Sequence, residues 1–129
     1  MTREPVWLLR SVVLAVHEEQ LAQYGGMPGI RDENLLESAL ARPRNLYAYG
    51  NPTLVELGAA YAAGITRNHP FLDGNKRTGF LSMFIFLARN GVELTATQAE
   101  ATAAMLALAE GSIAEDQLVR WIEDHTRIL

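Results

Sequence analysis

Between positions 69 and 80 the chain reads HPFLDGNKRTGF. An imidazole, a carboxylate, an amide, an ammonium and a guanidinium fall within the nine residues from His69 to Arg77, directly before a strongly apolar segment. Gly74-Asn75 is turn-prone, so the spacing predicts a loop that becomes helical at about Asn75 or Lys76. The backbone N–H groups of such a first turn are free and carry partial positive charge. Lys76 and Arg77 are misplaced there by roughly 0.3–1 kcal/mol each unless an anion offsets them. Gly74, Asn75, Lys76 and Arg77 together therefore read as a phosphate-binding nest. Asp73 would be counterproductive in a bare anion site. It is the group needed to hold Mg²⁺, which takes one or two carboxylates plus substrate phosphates. His69 stands before the loop, in reach of a nucleophile aimed at that phosphate, and suits a general base. Phe71 has no polar role and is expected to anchor the loop in the core.

Each of these residues has an ordinary structural use on its own, but their concentration in nine positions points to a site. The other candidates are read as structural. His17 and His125 lie on amphipathic helices among charged neighbours and are expected at the surface or an edge. Gly25, Gly26 and Gly29 lack the Lys-Ser/Thr of a P-loop and are expected to form a turn. Trp7 and Trp121 are expected in the core.

The elements that must position the loop can also be read. An edge strand is expected at Val6 to Leu8. A helix is expected from about Arg10 or Ser11 to the stop at Gly25-Gly26, and a second after Asp32 as N-cap, carrying Leu35, Leu36 and Leu40. Residues 41–53, with two prolines and a glycine, read as a loop or flap. Thr53 with Glu56, Thr97 with Glu100 and Ser112 with Glu115 stand in the capping-box relation. They predict helices at 54–67, 98–110 and 113–127. The segment after the loop is apolar on nearly every face, as a helix at the centre of a bundle would be, and Asn90-Gly91 supplies a left-handed cap. Val92 to Leu94 is a second short strand, with Val6 to Leu8 as its expected partner. The fold class is all-α, with six helices.

The chain's 129 residues predict one domain spanning 1–129. The absence of cysteine excludes disulfides and thiolate chemistry. A formal charge of −4 argues against a general nucleic-acid surface. The run from Phe80 to Ala88 is interrupted by Ser82 and falls short of the ~18–20 residues of a membrane span. No leader is read in Met1 to Pro5, so a cytoplasmic location is expected.

HPFLDGNKR resembles the signature of the Fic/Doc (Fido) family, His-x-Phe-x-Asp/Glu-Gly/Ala-Asn-Gly/Lys-Arg. YGGMPGIRD (24–32) and FLARNG (86–91) are similar to segments of its Doc (death-on-curing) branch. The resemblance implies transfer of part of a nucleotide to a protein hydroxyl. It gives His69 as base, Asp73 as Mg²⁺ ligand, and Gly74, Asn75, Lys76 and Arg77 as the anion hole for ATP or another nucleoside triphosphate. Residues 41–53 would be a flap that aligns the target. Fic members that transfer AMP carry glycine where this chain has Lys76, and a second arginine where it has Phe80, so both positions point to Doc. For that branch the resemblance implies γ-phosphoryl transfer to a threonine of elongation factor Tu. It also implies a toxin, held by an antitoxin whose disordered C-terminal segment folds into a groove near the site. Gly74 is the Fic residue and keeps AMP transfer as the alternative; a silent Fido binding module is another. No inhibitory Ser/Thr-x-x-x-Glu-Gly/Ala-Asn helix is read in the chain.

Overall fold

The computed structural model describes residues 4–129. Part of the Met1 to Pro5 stretch read for a leader, residues 1–3, therefore lies outside the described residues. The described residues form α1 (Arg10–Tyr24), α2 (Glu33–Tyr49), α3 (Leu54–Asn68), α4 (Asn75–Arg89), β1 (Val92–Leu94), α5 (Gln98–Glu110), α6 (Glu115–Glu123) and β2 (Thr126–Ile128). The fold is all-α, as expected, with one small sheet.

Two of the three predicted capping boxes close. The Glu56 N–H donates to Thr53 Oγ1 at 3.1 Å while the Thr53 N–H donates to Glu56 Oε1 at 2.9 Å, and Thr97 with Glu100 repeats the pattern at the same distances. The third does not form. The N-cap of α6 is Ala114, whose N–H donates to Gln117 Oε1 at 2.7 Å, and Glu115 instead pairs with Arg42 at 2.7 Å. α6 is also shorter than expected, because residues 126–128 leave the helix to pair with β1.

That pairing corrects the predicted sheet. Val92 lies opposite Ile128 and Leu94 opposite Thr126, antiparallel. Val6 to Leu8 is not a strand. Its backbone is satisfied by side chains, Val6 exchanging two hydrogen bonds with the Asn90 amide at 2.8 and 3.1 Å and Leu8 donating to the Tyr61 hydroxyl at 3.2 Å. An amide side chain can replace a strand edge because it offers a donor and an acceptor together. Asn90 itself is not left-handed; Gly91, with φ 86°, takes that role.

The expected loop at 41–53 is the larger correction. α2 runs on through Pro43 to Tyr49, leaving only Gly50 to Thr53 outside a helix. An interior proline forfeits one hydrogen bond and crowds the carbonyl four residues back. Here Leu36, Ala39, Leu40, Pro43 and Tyr47 form one continuous inward stripe, with Leu36, Ala39 and Pro43 buried. Burial along that stripe outweighs the lost bond, so the helix persists.

The core centres on α3 and α4. Every residue from Leu57 to Thr66 is buried, which the run of alanines and glycines permits by letting neighbours approach closely. Gly79 of α4 packs directly on α3. A Cβ there would lie 2.7 Å from Thr66 Oγ1 and 3.2 Å from the Ala62 carbonyl oxygen. Overpacking of this kind costs about 1–3 kcal/mol, against the ~1 kcal/mol that leaving glycine gains in a helix. Gly79→Val is expected to lower stability by about 2 kcal/mol, the upper end of that difference, read as a shift of the urea midpoint at unchanged slope.

The C-terminal turn is tied to α5 by His125. Its Nδ1–H donates to the Trp121 carbonyl at 2.7 Å, its Nε2 lies 3.2 Å from Glu100 Oε2, and its ring stacks on Trp121 at 4.4 Å. The Trp121 carbonyl, then Glu100, holds the His125 pKa above 6.5. The Thr97 N–H and hydroxyl, then His125, hold Glu100 below 4.5. A raised histidine contributes stability below its unfolded value, lost as pH rises through the folded one; a lowered carboxylate contributes above its unfolded value, lost as pH falls. The pair is thus most stabilising between about pH 4.5 and 6.5. Wild type is expected to melt lower at pH 8 than at pH 6, and His125→Gln to show a smaller difference by calorimetry.

Candidate active site

Gly74 is the N-cap of α4 and takes φ 78° and ψ 16°, a left-handed conformation natural to glycine. No side chain caps this end, so the N–H groups of Asn75, Lys76 and Arg77 are left to ligands or solvent. The first intrahelical bond is from the Thr78 N–H to the Gly74 carbonyl at 3.0 Å. α4 is buried along Thr78, Gly79, Ser82, Met83, Phe86 and Leu87, which fixes the position of its N-terminus. It is not apolar-buried on every face: Phe84 is 38% exposed, and Phe80 and Leu81 are half-buried.

That open face forms one wall of a cleft of about 800 Å³. His69, Asp73, Gly74, Asn75, Lys76 and Arg77 line its polar end, so the residues singled out by chemistry are gathered at one mouth. The C-terminal turn of α1 and the segment from Leu94 to Leu106 supply the other walls. Lys76, Arg77, Asp73 and His69 are exposed; Asn75 is buried. The Arg77 guanidinium lies over the Tyr24 ring, 4.1 Å from its centre, within the range of a cation–π contact.

The Asn75 side chain is occupied. It accepts from the Phe71 N–H at 3.0 Å and donates to the Phe71 carbonyl at 2.9 Å, closing the loop on itself. Phe71 is fully buried, as expected. What Asn75 offers the cleft is its backbone N–H. The loop is thus held by a buried aromatic and by the Asn75 side chain, which leaves the Asn75 backbone to the nest.

His17, expected at the surface or an edge, is instead buried against the site, 4% exposed. Its ring stacks on Phe71 at 3.8 Å, nearly parallel, and its Nε2 lies 2.8 Å from the Asp73 carbonyl. Since a carbonyl only accepts, Nε2 carries the proton in this contact. Charged neighbours in sequence, Glu18 and Glu19, gave the surface reading, whereas Val13, His17 and Gln20 form the buried face of the helix. His125, by contrast, is half-buried at the far edge.

The glycine turn also belongs to the site. Gly26 takes φ 128°, and a Cβ there would fall 3.0 Å from Asp73 Oδ2 and 2.9 Å from Leu21. The Met27 N–H donates to Asp73 Oδ2 at 3.3 Å and the Gly74 N–H to Oδ1 at 3.0 Å. Further along, the Leu72 N–H donates to the Gly29 carbonyl at 3.1 Å, and Arg31 and Asp32 both donate to the Pro70 carbonyl, at 2.7 and 3.1 Å. Residues 26–32 therefore lie along residues 70–73 as a short antiparallel clasp, with Ile30 bridged to Phe71.

The model of the Fic/DOC family matches residues 7–87, from the α1 approach into the last turn of α4. The chain belongs to the Fic/Doc family. Among curated proteins, it is similar to Protein kinase doc of Escherichia phage P1, with 39% identity over 83 residues, 64% of this chain and 66% of that protein. It is also similar to Toxin Doc of Mycolicibacterium smegmatis, with 42% identity over 76 residues, 57% of this chain and 58% of that protein. The likeness thus spans less than two thirds of either relative. The polar mouth of the cleft lies inside the Fic/Doc match, while the α5 wall lies beyond residue 87. No helix of the described residues is long and apolar enough to cross a membrane.

Proposed function

We propose that this Fic/Doc protein is a Doc-like toxin that transfers the γ-phosphoryl of ATP, or of another nucleoside triphosphate, to a protein hydroxyl. The observation that carries the reading is Lys76 on the uncapped first turn of α4, beside Arg77, with Asp73 and His69 on the same mouth. The names of the two similar proteins, a kinase and a toxin, support it. In this reading the N–H groups of Asn75, Lys76 and Arg77 and the two cationic side chains hold phosphate oxygens. His69 takes the proton of the attacking hydroxyl. Lys76, long and charged, holds the terminal phosphate where a glycine would leave space for inner ones. The proposed acceptor is a threonine of elongation factor Tu, and the proposed setting is the cytoplasm, where its modification would arrest translation.

Asp73 fits a magnesium ligand of the kind that kinases use. Each carboxylate oxygen has one backbone N–H partner and two lone-pair sites, so one site on each remains for a cation. No group of three His, Cys, Asp or Glu among the described residues gathers to hold a metal by itself. Mg²⁺ at Asp73 would take its other ligands from phosphates and water, and would neutralise phosphate charge there.

Gly74, the residue of AMP-transferring members, favours AMP transfer as the second reading. Both readings predict that expression of the chain arrests growth and that the His69→Ala variant does not. Toxicity of His69→Ala equal to the parent would instead favour a binding module without catalysis.

The proposed partner is an antitoxin with a disordered C-terminal segment. Phe80, Leu81, Phe84, Met105 and Leu106 line the apolar part of the cleft, the surface that the apolar face of an amphipathic helix needs. Copurification with a small protein encoded beside this gene, and loss of toxicity on its coexpression, is expected. Toxicity unaffected by that protein would contradict the partner.

A further inference from the structure

His69 is the one non-glycine position among the described residues with positive φ, at φ 55° and ψ 51°. It terminates α3, its N–H donating to the Ile65 carbonyl at 3.2 Å, in the place where a helix end ordinarily puts glycine. The left-handed region disfavours a residue with a Cβ, and histidine tolerates it better than most. A base placed there has its side-chain direction set by a backbone that has other conformations within reach. Something outside the helix must hold it.

Arg31 makes the contacts that do so. Its Nε donates to the His69 carbonyl at 2.7 Å and its Nη2 to the Asn68 carbonyl at 3.0 Å, so one planar fork spans the last two carbonyls of the turn. The Arg31 N–H donates to the next carbonyl, that of Pro70, at 2.7 Å. One residue thus engages three consecutive carbonyls centred on the base. Arg31 is itself anchored, because Asp32 beside it caps α2, accepting the Leu35 N–H at 3.0 Å. A cation at a helix C-terminus is also favoured by the helix dipole.

We infer that Arg31 is a positioning residue for His69: it locks the left-handed turn that aims the imidazole into the cleft, and touches neither phosphate nor acceptor. The inference rests on the assignment of His69 as base. A purely structural role would lower stability and nucleotide affinity along with turnover. A positioning role lowers turnover alone, because the phosphate nest is built on α4, whereas His69 is built on α3.

The test uses the full chain carrying Arg31→Met, which keeps the stem, and Arg31→Lys, which keeps the charge without the fork. With ATP and elongation factor Tu, kcat is expected to fall ~10- to 100-fold in Arg31→Met, the cost of a misplaced reacting group, with the KM for ATP within about 3-fold of wild type. Arg31→Lys should recover part of kcat. Independently of any transfer, amide exchange at His69 is expected to quicken by about 10-fold or more in Arg31→Met, while Leu57 to Ala63 of α3 stay protected. Unchanged kcat, or a KM that rises as far as kcat falls, would overturn the inference. So would unchanged exchange at His69. A wild-type chain that transfers nothing would contradict the transfer reading, and the exchange measurement would still decide whether Arg31 holds the turn.

Discussion

Replacing His69 by alanine is expected to lower kcat for phosphoryl transfer by ~10²- to 10⁴-fold, the usual contribution of a positioned general base. The KM for ATP should change little, since no part of the phosphate nest is removed. His69 is exposed, so its loss leaves no cavity, and the melting temperature should fall only by the strain of alanine in a left-handed turn. His69→Asn separates these effects. Asparagine accepts the left-handed conformation readily, so that variant should melt close to wild type and still fail to transfer. Steady-state kinetics with labelled ATP, beside thermal melts of all three proteins, gives both quantities. A His69→Asn variant with more than a tenth of wild-type kcat would remove His69 from the role of base.

Lys76 carries the second large effect. It is exposed on the first turn of α4, and its ammonium is available to a ligand. Lys76→Met keeps the length and apolar stem and removes the charge. Loss of one preorganised electrostatic donor costs about 10²–10³ in kcat, and that range is expected for γ-phosphoryl transfer. Lys76→Gly removes the stem as well and opens the space that AMP-transferring members leave for inner phosphates. It is expected to lose γ-transfer to the same extent as Lys76→Met. A label-transfer assay on both variants separates charge from bulk. Near-wild-type γ-transfer by Lys76→Met would show that the ammonium does not act on the phosphate.

Much of this site was legible in the sequence because its signals are local. A helix N-terminus, two cationic side chains, a carboxylate and a histidine within nine positions stay close together wherever the chain goes. The Thr53 and Thr97 boxes were legible for the same reason, since donor and acceptor lie three residues apart. Failures came where a tertiary contact outweighed a local rule. Pro43 and Gly50 marked a loop, yet the apolar stripe running to Tyr47 kept α2 helical past the proline. Ser112 and Glu115 had the spacing of a box, but Arg42 of α2 claims the glutamate.

The same distinction separates the site residues found from those missed. Asn75 reads in sequence as part of the nest through its backbone, and the fold gives its side chain a second task, holding the loop at Phe71. His17, Gly26 and Arg31 lie more than thirty residues from the motif and meet it only through the fold. The burial period of α1, with Val13, His17 and Gln20 on one face, was the available signal for His17. Nothing in sequence marks Arg31 as the residue that holds the backbone of His69.

Lys76 and the first turn of α4 are proposed to present the terminal phosphate to an acceptor activated by His69. Incubating the protein with elongation factor Tu and Mg²⁺, and with ATP labelled in parallel at the α or the γ phosphate, decides this. The expected result is γ-label on a threonine of the acceptor, no α-label, and neither with His69→Ala. Appearance of α-label on the acceptor would contradict it.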